Sequence, residues 1–298
     1  MLSRAMLRRR VTLRSICNES VETIPSPDSQ PGAATGSDPE AIGVTLVVPV
    51  FDEAANVTPL MDEIDAALTG RERFEVIVVD DGSRDTTRDE LAAASNRHAW
   101  LRPLAHAGRS GKAAALRTGV RAARGALIVT LDGDRQNDPA DIPDLLDRFR
   151  RGREADAMLG LLAGQRERRR DTWLRRLSSR AANGIRARVL GDATRDSACG
   201  VKVFPPAVFL ALPYFDGLHR FLPALVRAQG YAVVVAPVRD RPRAAGEAKY
   251  GFWNRAFVGL VDMLAVYWLI RRCHLPSHVT IVDGAVPAAL EETGEDPR

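Results

Sequence analysis

The segment LIVTLDGDRQNDP, residues 127–139, places a dense set of oxygen ligands beside an apolar run. Asp132, Gly133 and Asp134 end that run, and Gln136 stands two positions further on. Carboxylate and amide oxygens suit hard divalent cations, and such a cation offsets the charge of a diphosphate. Alternate residues of an extended segment point to one side, so the spacing predicts that Asp132, Asp134 and Gln136 converge on one ion. Two other apolar runs end in the same manner: VTLVVPV leads into Phe51-Asp52-Glu53 and then Asn56, and FEVIVVD leads into Asp80-Asp81-Gly82-Ser83. Carboxylates there can accept hydrogen bonds from a nucleobase or ribose, and an Asp-Gly-Ser turn lets a ligand approach the backbone. Each motif alone also has a structural reading, because DDGS is a common turn and aspartates cap helices. Asp138, before Pro139, is assigned as a cap.

Carboxylates at strand ends act together only if a sheet presents those ends on one side. From Val44 onward, short β-branched runs alternate with helical segments: VTLVVPV and a helix after Asn56, FEVIVVD and a helix after Arg84, LRPLA and a helix from Ser110 to Arg124. ALIVTLD follows, with a helix opening at Pro139. This alternation predicts βαβ units and an α/β fold with a mostly parallel sheet, in which ligands sit beyond the carboxyl ends of the strands. The second half reads as an Arg-rich helix from about Thr172 to Leu190, the run CGVKVF, a helix around Leu218 to Ala228 and the strand AVVVAPV.

The 298 residues are 45% hydrophobic, ordinary for a globular chain. Cys17, Cys199 and Cys273 are odd in number and far apart, which argues against a disulfide framework and for a reducing cytoplasm. Net charge is +4, yet residues 148–188 hold thirteen arginines against four acids, so the basicity is concentrated and points to an anionic partner. Residues 1–40 are expected to be a disordered basic and Pro/Ser-rich segment without the apolar core of a secretory signal, and 274–298 a flexible tail. Between them, 41–250 is expected to form the main domain and 251–273 an apolar helix. The stretch from Ala256 to Ile270 is shorter than the roughly 20 residues that cross a bilayer. It is therefore an interfacial helix, with Trp253, Tyr267 and Trp268 near headgroups and Arg271 and Arg272 outside, or a packing helix of the core.

PVFDEAANV, VVDDGSRDTT, RSGKAAALRTGV and LDGDRQNDPADIP occur in this order, and together they resemble the successive motifs of family 2 glycosyltransferases with the GT-A (Rossmann-like) three-layer fold. The similarity is greatest to the polyprenyl-phosphate, dolichol-phosphate mannosyltransferase-like branch, and it covers residues 44 to about 270. The resemblance implies transfer of a sugar from GDP-mannose or a UDP-sugar to a polyprenyl (undecaprenyl or dolichyl) phosphate, with inversion, by an enzyme peripheral to the cytoplasmic face of a membrane. By it, Pro49, Val50, Phe51, Glu53, Asp80, Asp81, Lys112, Asp132 and Gly133 would bind the nucleotide sugar. Asp132, Asp134 and Gln136 would hold Mg²⁺ or Mn²⁺. Arg166, Arg176 and Arg180 align with acceptor positions, and His219, Arg220 and Lys249 fall in two later signatures, HRFLPAL and RAAGEAKYG, toward the donor phosphates or the acceptor phosphate. Of these, Asp132, Asp134, Arg166 and Arg176 would carry catalysis. Lys112 has helix-start packing as its alternative, and His219 a structural role. The family usually has Tyr-Asn where this chain has Phe51-Asp52, and often Ser at Ala248.

A lipid phosphate is already anionic, so this chemistry demands no general base, and Asp196 is the best spare carboxylate. The competing enzyme reading, a sugar-nucleotide pyrophosphorylase, wants a glycine-rich loop where PVFDEAAN stands. A non-enzymatic nucleic-acid-binding protein would leave the strand-end carboxylates unexplained. No nucleic-acid partner is therefore expected. The final segment is too polar to span a bilayer, which predicts attachment through the terminal helix or a separate small membrane-spanning subunit.

Overall fold

The alternation of strand and helix is present in the computed structural model, which describes residues 41–166, 189–191, 194, 196–242 and 252–272, the last stretch with side chains from 259 on. The first half runs β1 (Val44–Val50), α1 (Ala54–Leu68), β2 (Phe74–Asp80), α2 (Thr87–Arg97), β3 (Leu101–Ala105), α3 (Lys112–Ala122) and β4 (Leu127–Thr130). After a 3₁₀ turn at Pro139–Asp141 come α4 (Ile142–Ala155), β5 (Leu159–Arg166) and β6 (Lys202–Phe204). Then follow α5 (Pro206–Leu210), a second 3₁₀ turn at Leu218–Arg220, α6 (Leu222–Ala228), β7 (Ala232–Val238) and α7 (Phe252–Arg272).

Among the described residues the strands form one sheet in the order β3-β2-β1-β4-β6-β5-β7. β1 is parallel to β2 from Val44 opposite Phe74 to Val50 opposite Asp80, and parallel to β4 from Val44 opposite Leu127 to Val47 opposite Thr130. β6 is antiparallel to both β4 and β5, whereas β5 and β7 run parallel. The chain builds outward from β1 to β3, then returns through α3 to the other side of β1. The crevice beyond the carboxyl ends of β1 and β4 is thus the point where strand order reverses, the usual seat of a ligand in such sheets.

The near-continuous Val and Ile runs of β1 and β2 require burial on both faces. On one face, Leu46, Val48 and Val50 pack with Leu60, Met61 and Ile64 of α1 and with Leu145 and Phe149 of α4. On the other, Val47 meets Ala113, Leu116 and Val120 of α3, together with Phe204, Phe209 and α6. Burying each such side chain contributes roughly 1.5–3 kcal/mol, so the sheet is held rigid just below the crevice.

Several elements depart from the sequence reading. The helix expected to open at Pro139 begins as the 3₁₀ turn, and α4 starts only at Ile142 with Pro143 in its first turn. The helix expected over Leu218–Ala228 is broken in the same manner, with α6 starting at Leu222 ahead of Pro223. Proline lacks an N–H and is best accommodated in a first turn, which favours both starts, whereas Pro59 is carried within α1. β5 was not anticipated, because LGLLAGQR carries two glycines and a polar end, yet Leu159, Leu161, Leu162 and Ala163 are fully buried. α5 was also missed, and CGVKVF contributes only three residues of strand. The Arg-rich helix expected over 172–190 lies outside the described residues except for 189–190, which are helical.

Along α7, Val266 is buried and Met263, Tyr267, Leu269 and Ile270 are partly buried against the second core. The opposite side shows Leu260, Val261, Leu264 and Trp268, each 49–60% exposed. Arg271 lies over the Tyr267 ring and Arg272 over the Trp268 ring. Among the described residues, no helix is long and apolar enough to cross a membrane.

Candidate functional site

β1 and β2 deliver their terminal residues to the crevice, and loops lock them there. Asp52 adopts a left-handed backbone (φ 52°), a conformation that Asp and Asn tolerate better than most residues. Its N–H donates to Ser83 Oγ at 2.9 Å, and its carboxylate accepts from Arg84 N at 2.8 Å, so it faces the β2–α2 loop. Glu53 N donates to Thr87 Oγ1, and Glu53 Oε2 accepts from Asn56 Nδ2 at 2.6 Å. Phe51, partly exposed after Pro49 and buried Val50, has the Arg109 guanidinium 4.3 Å over its ring, a cation–π contact at the crevice wall.

Asp80 and Asp81 are both buried and both engaged. Asp80 accepts from Ser83 N at 2.9 Å and Arg88 Nε at 2.6 Å. Burial opposes its charge, but these partners hold its carboxyl below the ordinary range. Asp81 accepts from Ser110 N at 2.8 Å and Gly111 N at 2.7 Å at the start of α3, and lies 2.9 Å from His106 Nδ1. The pair therefore shapes the loops before α2 and α3, with lone pairs left over, since a carboxylate offers about four acceptor sites.

Lys112, the first residue of α3, donates to Asp132 Oδ1. Asp132 follows Leu131 just past β4, and Gly200 packs directly on it: a Cβ at 200 would overlap the Asp132 carboxylate. The same Gly200 accepts from Thr130 Oγ1 through its carbonyl at 2.6 Å. Lys202, at the start of β6, is buried and donates to the Cys199 carbonyl. Burial, with Lys112 nearby, pulls its ammonium down to about 8 against the opposing pull of Cys199 and Asp132. Burial likewise works against the charge of Asp132, yet Lys112 and then Lys202 keep that carboxyl ionised below its usual range.

The segment after Asp132 is a turn rather than the extended strand that the spacing predicted. A Cβ at Gly133 would come within 2.6 Å of Val50 Cγ1, so the turn lies tight against β1. Asp134 is buried, Oδ1 accepts from Gln136 N at 3.2 Å, and Arg135 between them has φ 60°. Asp132 and Asp134 are thus joined through a turn, not through strand alternation. Asp138 caps the 3₁₀ turn by accepting from Ala140 N at 3.0 Å, the role assigned to it.

Arg135 and Arg241 both grip Glu63 of α1, and Arg241 also reaches Asp138 at 2.6 Å. Arg241 N donates to Gln136 O at 2.8 Å. The turn that carries Asp134 is thereby clamped to α1 and to the segment after β7. Arg166, at the end of β5, makes a two-pronged ion pair with Asp196, 2.6 and 3.0 Å, and lies 3.8 Å from Asp240. Hydrogen bonding to Asp196 keeps that guanidinium firmly protonated despite burial.

Among the expected site residues, His219 and Arg220 form part of the 3₁₀ turn before α6, within the electrostatic field of Lys112, Lys202 and Asp132. Burial first, and then Lys112, Lys202 and Arg220, lower the His219 imidazole well below its ordinary value. Arg176, Arg180 and Lys249 lie outside the described residues. The residues the sequence reading passed over are Lys202, Gly200, Arg109 and Glu63. Lys202 had one signal, being one of three lysines in a chain with 42 basic side chains and standing in an apolar strand.

Asp132 and Asp134 are the carboxylates expected to hold a metal, and among the described residues no group of three or more His, Cys, Asp or Glu side chains is placed to hold an ion. Two carboxylates suit a hard cation that completes its oxygen shell from a ligand's phosphates.

The model of glycosyl transferase family 2 matches residues 45–210. A dodecaprenyl-phosphate galacturonate synthase of Rhizobium johnstonii is 34% identical over 254 residues, covering 84% of this chain and 73% of its own length. An undecaprenyl-phosphate 4-deoxy-4-formamido-L-arabinose transferase of Edwardsiella ictaluri is 30% identical, covering 70% of this chain; the chain spans only 63% of that relative. Among solved structures, a mannosyltransferase of Pyrobaculum calidifontis with GDP-Man and Mn²⁺ superposes with a TM-score of 0.57 at 22% identity, covering 79% of this chain and 66% of its own. Glucosyl-3-phosphoglycerate synthase of Mycobacterium tuberculosis, solved with Mn²⁺, UDP-glucose and phosphoglyceric acid, gives 0.56 at 18% identity over 77% of this chain and 79% of its own. The shared architecture is the GT-A fold.

Proposed function

The chain belongs to glycosyl transferase family 2, and from that premise we propose that it transfers a sugar from a nucleoside diphosphate to the phosphate of a polyprenyl lipid. The observation that carries this reading is Asp132 at the switch point, ion-paired with Lys112 and followed by Asp134. The relatives named above act on dodecaprenyl and undecaprenyl phosphates, which supports a lipid phosphate acceptor here. Their sugars differ, so the donor is a UDP-sugar or GDP-mannose.

In this reading an acceptor phosphate oxygen forms a bond to the anomeric carbon. The bond from that carbon to the donor diphosphate breaks, and the electron pair leaves with the nucleoside diphosphate, inverting the centre. Asp132 and Asp134, with Gln136 beside them, would hold Mg²⁺ or Mn²⁺, which would supply positive charge to the leaving diphosphate. The chain's own residues do the rest. Lys112 pairs with Asp132, Phe51 and the loops set by Asp80 and Asp81 line the nucleotide side, and Arg166, its fork held by Asp196, is assigned to the acceptor side. The exposed apolar side of α7, ending in Arg271 and Arg272, would rest in the headgroup region at the cytoplasmic face, which we prefer to attachment through a separate membrane subunit.

Binding and transfer test this together. Titration with Mn²⁺ plus UDP or GDP is expected to show metal-dependent diphosphate binding, lost in Asp134→Ala. With a radiolabelled donor panel and undecaprenyl phosphate in liposomes, the wild-type chain is expected to sediment with the vesicles and to label the lipid. Metal-independent binding of nucleic acid, with no lipid labelled by any donor, would sink the proposal.

A further inference from the structure

His219, within electrostatic reach of Lys112, Lys202 and Asp132, carries one of the unsatisfied buried polar atoms among the described residues. Its Nδ1 is inaccessible to solvent and has no hydrogen-bond partner. The neighbours are engaged: Lys112 donates to Asp132, and Lys202 to the Cys199 carbonyl. The turn that carries His219 is tightly set, since Gly217 has φ 87° and packs against Asp262 of α7, and His219 forms part of the single 3₁₀ turn before α6.

A buried polar group without a partner is uncommon in a folded protein, and at a crevice the missing partner is a ligand. Lys112, Lys202 and Arg220, opposed by Asp132, act on the ring through space, and burial with those cations lowers it well below its ordinary value. A neutral imidazole has one N–H to give and one lone pair to accept with, the same two capacities as an alcohol. It brings no charge to a phosphate, and charged lysines already stand beside it for that purpose. In the transferase reading, on which this step rests, the uncharged hydroxyl-bearing group between the two phosphates is the sugar.

We propose that Nδ1 of His219 hydrogen-bonds a hydroxyl of the transferred sugar, so that His219 helps decide which sugar the enzyme accepts. A site built to pair a hydroxyl rejects the analogue that lacks it, because the buried partner is then left unmatched.

Calorimetry on the full chain with Mn²⁺ separates sugar from phosphate, using UDP against UDP-glucose and UDP-galacturonate, and GDP against GDP-mannose. His219→Phe is expected to weaken the bound nucleotide sugar about tenfold or more while leaving its parent diphosphate unchanged. His219→Asn, which restores a neutral donor and acceptor, is expected to recover part of the loss, and His219→Lys none. Equal losses for sugar and diphosphate, or rescue by lysine, would assign His219 to the phosphates and overturn the proposal, as would an unchanged sugar affinity in His219→Phe. Thermal unfolding of His219→Phe at or above the wild-type temperature identifies a true ligand effect; if that variant unfolds early, the Asn and Lys pair decides. A wild-type chain that binds none of these nucleotides overturns the transferase reading itself, a result distinct from wild-type binding that His219 does not influence.

Discussion

Single atoms decide whether Asp132 can serve a ligand. Gly200 leaves no room for a side chain, because any Cβ there would occupy the place of the Asp132 carboxylate. In Gly200→Ala the carboxylate must rotate away from Lys112, at a strain of about 1–3 kcal/mol. Transfer is expected to fall at least about tenfold, while far-ultraviolet circular dichroism stays that of the folded chain; unchanged turnover would show that Asp132 tolerates displacement. The carboxylates of the crevice were legible in the sequence because they follow apolar runs directly. Lys202 and Gly200 were not, since one opens a strand and the other precedes it. β6 is antiparallel to β4, so its beginning, rather than its end, meets the crevice. A rule that looks for ligands after strands passes over whatever comes before a reversed one. His219 was visible as a candidate, but its neutrality depends on the lysines folded around it and not on its own motif.

At the scale of elements, α1 does more than cover the sheet. Glu63 on its outer flank receives Arg135 from the Asp134 turn and Arg241 from beyond β7, joining three segments distant in sequence. Arg135 is held in a left-handed conformation that costs a non-glycine residue of order 1–2 kcal/mol, and the ion pair is what fixes it there. Replacing Glu63 with Gln is expected to weaken Mn²⁺-dependent diphosphate binding by about tenfold, as loss of an outer partner of a metal ligand does. Glu63→Gln combined with Arg135→Gly, which relieves the strained backbone, should recover part of it. Calorimetry of both variants checks this, and an unchanged Mn²⁺ requirement in Glu63→Gln would remove the clamp from the account. None of this was readable beforehand. The period of α1 places Glu63 on the polar side, and the partners that reach it come from loops whose paths only the fold determines.

For the molecule as a whole, the sheet is anchored at the end opposite the crevice by Glu75. This buried carboxylate accepts from Thr45 Oγ1 at 2.9 Å, Arg102 Nη1 at 2.5 Å and Arg124 N at 2.7 Å, joining β1, β2, β3 and the link into β4. Burial raises the cost of its charge, but Arg102, Arg124 and Thr45 together depress the carboxyl below its ordinary value. A depressed acid stabilises above its unfolded-state value and loses that contribution as pH falls through the folded one. Glu75→Gln is therefore expected to cost about 2 kcal/mol at neutral pH and progressively less in acid, read from urea unfolding at about pH 7 and about pH 3. An equal difference at both would rule out the charge as its source. The parallel half of the sheet was legible because β1 to β4 follow one another in strict alternation, each βα unit local in sequence. The antiparallel insertion was not, because glycines blur β5 and β6 is three residues long. That insertion also gives the site a history. Gly200 meets Thr130 across 70 residues of chain. On the ribosome, Asp132 emerges and its strand can pair with β1 well before the glycine it packs on, or the lysine beneath it, has been synthesised. Until that later segment arrives, β4 has a neighbour on one side only, and the crevice lacks a wall.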